Sequence, residues 1–145
     1  MNTSLLQFQK RLLSWFSIHQ RNLPWRQTND PYCIWVSEVM LQQTRVNTVI
    51  DYYHRFLDKF PSIEHLADSD LDDLLKIWEG LGYYARARNL KRAAEIVVFE
   101  MEGCIPNNYR QFRQLPGVGD YIAAAVQSIA FGKPLAAVDG NVKRV

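Results

Sequence analysis

Two acidic residues in this chain stand where a carboxyl group could do chemistry, Glu38 and Asp139. Glu38 lies in the apolar run PYCIWVSEVML, and on a helix its neighbours three and four places away are Ile34, Trp35, Leu41 and Gln42. A carboxyl group among such side chains is partly desolvated, which raises its pKa and keeps a proton available near neutral pH. The same spacing also suits a helix-edge glutamate paired with Arg45 or with the basic cluster at Arg86. Asp139 follows the Gly132–Pro134 break and heads the segment DGNVKRV. An aspartate there caps a helix, and a carboxylate fixed at a helix start can also oppose a developing positive charge. Glycoside cleavage divides its work between two such groups, an acid for the leaving group and a carboxylate facing an oxocarbenium-like sugar.

A second chemical signal is LPGVGDYIAAAV, Leu115 to Val126. It reads as a short helix end, a Gly-Val-Gly hairpin and a new Ala-rich helix. The glycines let the backbone adopt conformations a Cβ resists and approach a partner closely. The helix that follows points unpaired N–H groups outward with the positive end of its dipole behind them, a setting that grips a phosphate. A bare GxG is more often an ordinary helix–helix turn; the full string with its Ala-rich helix reverses that in favour of the anion grip.

Positioning these groups falls to helices, since helical periodicity runs through nearly every segment and no strand alternation stands out. Leu5, Phe8, Leu12, Trp15 and Phe16 make one face of a first helix, capped by Thr3 or Ser4. The loop RNLPWRQTNDP breaks the chain at two prolines. Helices are predicted over about 32–44, 46–60 and 62–67, and another from Ser69 or Asp70 to Trp78 with Asp72 and Asp73 in its first turn. Gly80 and Gly82 then interrupt the chain before a long helix over about 84–101, and a helix over about 109–114 leads into the hairpin. Trp78 completes the Leu71–Leu74–Leu75 face and is read as core, whereas Tyr83 follows a Gly-Leu-Gly loop and is read as exposed. The closing DGNVKRV opens a helix without a stop signal, which predicts that these residues are the front part of a longer protein.

Composition bounds the rest. The 145 residues suit one domain, and 48% hydrophobic with 22% charged residues is ordinary for a globular chain. A net charge of +2 and a pI near 8.6 permit nucleic-acid binding without arguing for it. Glu64 to Glu79 is mainly acidic, whereas Arg86, Arg88, Lys91 and Arg92 crowd one stretch that suits a solvated face or a DNA-facing one. Cys33 and Cys104 lie in no metal-ligand spacing and read as reduced thiols. No apolar run has the length of a membrane span and the N-terminus lacks signal-peptide order, so cytoplasmic residence is the default.

Four segments, PYCIWVSEVMLQQT, EGLGYYARARNL, LPGVGDY and VDGNVKRV, together resemble the A/G-specific adenine DNA glycosylases of the MutY type, in order from about Asn22 to Val145. The hairpin resembles the helix-hairpin-helix element of base-excision glycosylases. The resemblance implies an all-α fold, with a six-helix barrel domain over 21–145 and the helix-hairpin-helix at about 109–131, cut off just after the Asp139 helix begins. An N-terminal helix over 1–20 would belong to the cluster-bearing lobe, leaving Leu5, Phe8 and Trp15 partly uncovered and the isolated chain poorly soluble or of low stability.

In function, the resemblance implies hydrolysis of the N-glycosidic bond of adenine mispaired with 8-oxoguanine or guanine, after the adenosine leaves the duplex for a pocket. Glu38 matches the acid that protonates the adenine ring nitrogen, and Asp139 the carboxylate that stabilises the sugar cation. Asn141 matches a nearby polar helper and Tyr121 a pocket residue. Trp25 and Arg26 would line the adenine pocket, while Gln43, Thr44, Leu81 and Tyr83 would fill the gap in the stack and touch the opposite base. Gly117, Val118 and Gly119 would hold phosphate, joined by Lys143. Endonuclease III-like enzymes carry a lysine nucleophile where Tyr121 stands, so water is expected to complete the reaction here, with little strand cleavage. The family's [4Fe-4S] cluster is implied too, but its four ligand cysteines are absent from these residues. The expected partner is double-stranded DNA with A:8-oxoguanine or A:G mispairs, bound by a monomer without a membrane, nucleoid-associated in a bacterium. A catalytically silent DNA-binding module and an endonuclease III-like lyase are the competing readings.

Overall fold

The computed structural model describes residues 2–145, and every regular element among them is helical. In chain order these are α1 (Thr3–His19), a 3-10 turn at Pro24–Arg26, α2 (Pro31–Leu41), α3 (Val46–Lys59), α4 (Ile63–Asp68), α5 (Leu71–Trp78), α6 (Ala85–Glu100), α7 (Tyr109–Arg113), α8 (Asp120–Phe131) and α9 (Gly140–Arg144). The centre is α2. Asp30 caps it by accepting the Tyr32 N–H at 2.9 Å, and Pro31 takes the first position, where no N–H is needed. Eight of its eleven residues are buried, as suits a helix apolar on all sides. It packs against α8 and α3 on two sides and touches α6 as well.

The surrounding helices bury one stripe each. Val49, Tyr53 and Phe56 give α3 an inward face at i, i+4 and i+7, and Leu74 and Trp78 do the same for α5. Edge-to-face aromatic pairs knit the interior: Trp35 meets Phe112 at 4.9 Å between centroids, and Phe56 meets Trp78 at 6.1 Å. Trp78 is fully buried beside Leu74, as the Leu71–Leu74–Leu75 face predicts, but Leu71, given to the same face, is exposed.

α1 differs from the rest. None of its residues is buried, and Phe8, Leu13, Trp15 and Ile18 are all more than half exposed. Leu5, at 49%, is nearly so. No helix among the described residues is long and apolar enough to cross a membrane.

Most helix bounds agree with the sequence reading to within a residue or two, and two points are corrected. α1 is capped by Asn2, whose side-chain oxygen accepts the Ser4 N–H at 3.0 Å, and not by Thr3 or Ser4. α2 stops at Leu41, not Thr44. Gln43 has a positive φ of 59°, and the carbonyls that would have continued the helix ladder are taken instead by Arg86 from α6.

Candidate active site

Glu38 sits in the middle of α2 and is only 8% exposed. Its carboxyl opens on a cleft of about 490 Å³ lined by residues that include Leu23, Trp25, Arg26, Leu41, Tyr121 and Ile129. That size and mixed lining are those of a small-molecule or base pocket. Neither Arg45 nor Arg86 pairs with Glu38; the group across the cleft that acts on it is the hydroxyl of Tyr121, from the first turn of α8. Burial pushes the Glu38 carboxyl up from its ordinary value, and the charge of Asp139 pushes the same way. The Tyr121 hydrogen bond opposes both, because it favours the ionised form.

Asp139 is the N-cap of α9: its side chain accepts the Val142 N–H at 2.9 Å. It does not line the cleft, but its charge acts on Glu38 and on Tyr121, so cap and electrostatic partner are the same residue. The approach depends on Gly132, whose left-handed φ of 65° ends α8 and sends the chain back through residues 133–138. Asn141 is exposed in the first turn of α9 and hydrogen-bonded by Arg144.

The cleft wall carries two aromatic contacts. Trp25 is held edge-on by Tyr53 at 5.4 Å, and the Arg26 guanidinium lies 5.6 Å from the Phe16 ring. Phe16, Gln20 and Arg21, from the end of α1 and just beyond, also line it, although sequence reasoning gave Phe16 only to the apolar face of its helix. Periodicity assigns a face and is silent on which distant loop closes over it.

The hairpin is built between α7 and α8. Leu115 and Val118 are buried and anchor it, and Gly117 turns with a φ of 74°. A Cβ on Gly117 would lie 2.9 Å from the Cβ of Asn89 on α6, so no other residue fits without displacing backbone. The Val118 N–H is spent on the Leu115 carbonyl at 3.1 Å. Gly119, as cap, has no side chain to occupy the first N–H groups of α8, which leaves Gly119 and the opening turn of α8 rather than Val118 to meet an anion. Arg113 braces the turn, donating to the Val118 carbonyl and to Asp120 at 2.8 Å each. Lys143 is exposed and close enough to Asp120 to favour its ionised form.

Of the residues expected in the base stack, Tyr83 is 63% exposed with a φ of 48°, and Gln43 is exposed on its turn. Thr44 is half-buried. Leu81 departs from expectation: it is 7% exposed and packs with the core, because the tight turn at Gly80–Gly82 folds its side chain inward. The basic cluster also divides. Arg88 and Arg92 are exposed, Lys91 pairs with Glu95 and donates to the Ala67 carbonyl at 2.9 Å, and Arg86 points into the fold.

Iron–sulfur ligation takes four cysteine thiolates. This chain has Cys33, half-buried on α2, and Cys104, exposed after α6, both free. Burial and the neighbouring Asp30 push the Cys33 thiol up to about 11, the reverse of what a thiolate ligand needs. Among the described residues no group of three or more His, Cys, Asp or Glu is gathered to hold a metal. The donor set does not fit a cluster, and no step below runs through one.

Comparison with known proteins bears on this geometry. Residues 36–145 match the model of the HhH-GPD superfamily of base excision DNA repair proteins. The chain is 45% identical over 141 residues to an adenine DNA glycosylase of Buchnera aphidicola, covering 97% of this chain and 40% of that protein. It is 48% identical over 147 residues to an adenine DNA glycosylase of Rattus norvegicus, covering 95% of this chain and 28% of that one. These residues thus span well under half of either relative. The structure of a thermostable thymine-DNA glycosylase superposes with a TM-score of 0.87 at 35% identity, over 92% of this chain and 62% of that one.

Proposed function

The chain belongs to the HhH-GPD superfamily of base excision DNA repair proteins, and on that footing we propose that it cleaves the N-glycosidic bond of adenine mispaired with 8-oxoguanine or guanine in duplex DNA. One observation carries the reading: a buried carboxyl group, Glu38, faces a base-sized cleft with its proton affinity raised by burial, while a second carboxyl, Asp139, acts on it. The naming of the relatives supports the choice of adenine.

In this reading the adenosine rotates out of the duplex into the cleft, between Trp25 and Arg26 on one wall and Glu38 on the other. Glu38 gives its proton to a ring nitrogen, and the glycosidic electron pair leaves with the base. Asp139 opposes the cation that forms on the sugar, and Asn141 sits beside it as a polar helper. Water adds to that carbon and its proton passes to a carboxylate, which restores the acid. Tyr121 is a phenol and forms no imine, so strand cleavage is weak or absent. Gly117 and Gly119, the N–H groups at the head of α8 and exposed Lys143 hold the backbone phosphates, and Tyr83 with Gln43 and Thr44 faces the gap left in the stack.

The test is base release from a duplex with adenine opposite 8-oxoguanine, read as strand breaks after hot alkali in the complete protein. Glu38→Gln is expected to lower the rate by about 10²- to 10⁴-fold while lesion-duplex binding persists. An unchanged rate removes Glu38 from the role of acid. Tight binding by the parent without alkali-labile sites favours a silent binding module.

A further inference from the structure

Arg86 is read from sequence as one of four surface cations, yet it is the most heavily engaged side chain in the molecule. Its Nη1 donates to the last carbonyls of α2, Val39 at 2.9 Å and Met40 at 3.0 Å, and to Gln42. Its Nη2 faces the other way, to the Thr44 hydroxyl at 3.3 Å and to the carbonyls of Gly82 at 3.3 Å and Leu81 at 3.5 Å. The guanidinium also lies 5.5 Å from the Trp78 ring and 5.6 Å from that of Tyr83. Trp78 in turn donates to the Gly82 carbonyl at 3.1 Å.

The two segments joined this way are irregular. Gln43 and Tyr83 have left-handed φ values of 59° and 48°, beside glycines at 80 and 82 with 96° and 74°. Non-glycine residues hold that conformation only where the surroundings over-determine it. Neither segment is part of a helix, so the guanidinium supplies the order that a helix ladder would otherwise provide.

We infer that Arg86 is a positioning residue that fastens the 42–44 turn and the 80–84 loop into one rigid edge, and thereby sets discrimination for the base opposite the adenine. The inference rests on the function proposed above, in which Gln43, Thr44 and Tyr83 face that base. Only a planar fork can do this. One nitrogen serves the α2 side, and the other serves Thr44 and the loop. A lysine ammonium is a single donor centre and reaches one side at a time.

The experiment compares the parent with Arg86→Lys, Arg86→Met and Thr44→Val in the complete protein. Binding is measured to duplexes with a non-cleavable adenine analogue opposite 8-oxoguanine and to fully matched duplex, and amide exchange is followed by segment. Arg86→Lys is expected to lower the preference for the lesion duplex at least tenfold while matched-duplex binding stays within twofold. Exchange is expected to rise at 42–45 and 80–84 but not in α8. Thr44→Val, which removes one partner of the guanidinium, is expected to shift the preference the same way by less and to raise exchange at 80–84, which loss of a direct contact between Thr44 and the base would not do. An Arg86→Lys protein with the parent's preference and exchange overturns the inference, as does a Thr44→Val protein with the parent's preference should both Arg86 variants fail to fold. A parent with no lesion preference overturns the proposed function itself, and the inference with it.

Discussion

The Tyr121 hydroxyl lies close enough to the Glu38 carboxyl to act on its proton, and the two groups shift each other in opposite directions. The contact lowers the proton affinity of Glu38 and raises that of Tyr121, so the phenol stays protonated and acts as donor. The proton affinity that burial raises is thus held back by a neighbour from α8.

Removing that donor has a signed consequence. In Tyr121→Phe the carboxylate loses a stabilising bond while burial and the Asp139 charge remain, so the Glu38 pKa climbs further. In the proposed reaction adenine release needs the protonated acid, and the alkaline limb of the pH–rate profile is expected to move to higher pH. Single-turnover rates across the pH range measure it; a limb that moves to lower pH would contradict the pairing.

Stability follows the same proton. With its folded-state pKa raised, Glu38 binds more proton in the native than in the unfolded chain throughout the window between the two values. Native stability therefore falls as pH rises through that window. Glu38→Gln removes the penalty and is expected to melt higher than the parent at about pH 8, with the gap closing toward about pH 4, where both states hold the proton. Thermal melts of both proteins at the two pH values decide it, and a variant that melts lower at the alkaline end would show that the carboxylate is welcome there.

The hairpin carries a charge of the wrong sign for its proposed ligand. Asp120 opens α8, is paired with Arg113 at 2.8 Å and accepts a hydrogen bond from the Tyr109 hydroxyl at 3.2 Å. Asp120→Asn frees the Arg113 charge, while the Arg113 bond to the Val118 carbonyl still braces the turn. Duplex DNA is expected to bind about two- to fivefold tighter at low salt, with a steeper salt dependence. Fluorescence anisotropy titrations over a salt series measure this; weaker binding would assign Asp120 a positioning role instead.

Much of this was legible from residue order. The apolar run around Glu38, the Gly-Val-Gly hairpin and the Asp139 cap each follow from local pattern, and local pattern decides helix existence and capping. Arg86, Leu81 and Phe16 were misread or passed over for one shared reason. Their roles depend on partners far along the chain: Val39 is 47 positions from Arg86. Neither the inward turn of Leu81 nor the reach of Phe16 toward Arg26 has a periodicity to announce it. A cation in a basic stretch looks the same whether it meets water or the end of another helix.

Finally, α2 is walled in by α3, α6 and α8, with only the cleft side of Glu38 left open. A rod wedged on three flanks has nowhere to travel, so the proton source of the proposed reaction is stationary. In that reaction whatever accepts the proton must make the whole journey, and selection among nucleotides falls on how readily each one leaves its stack rather than on any reach by the protein.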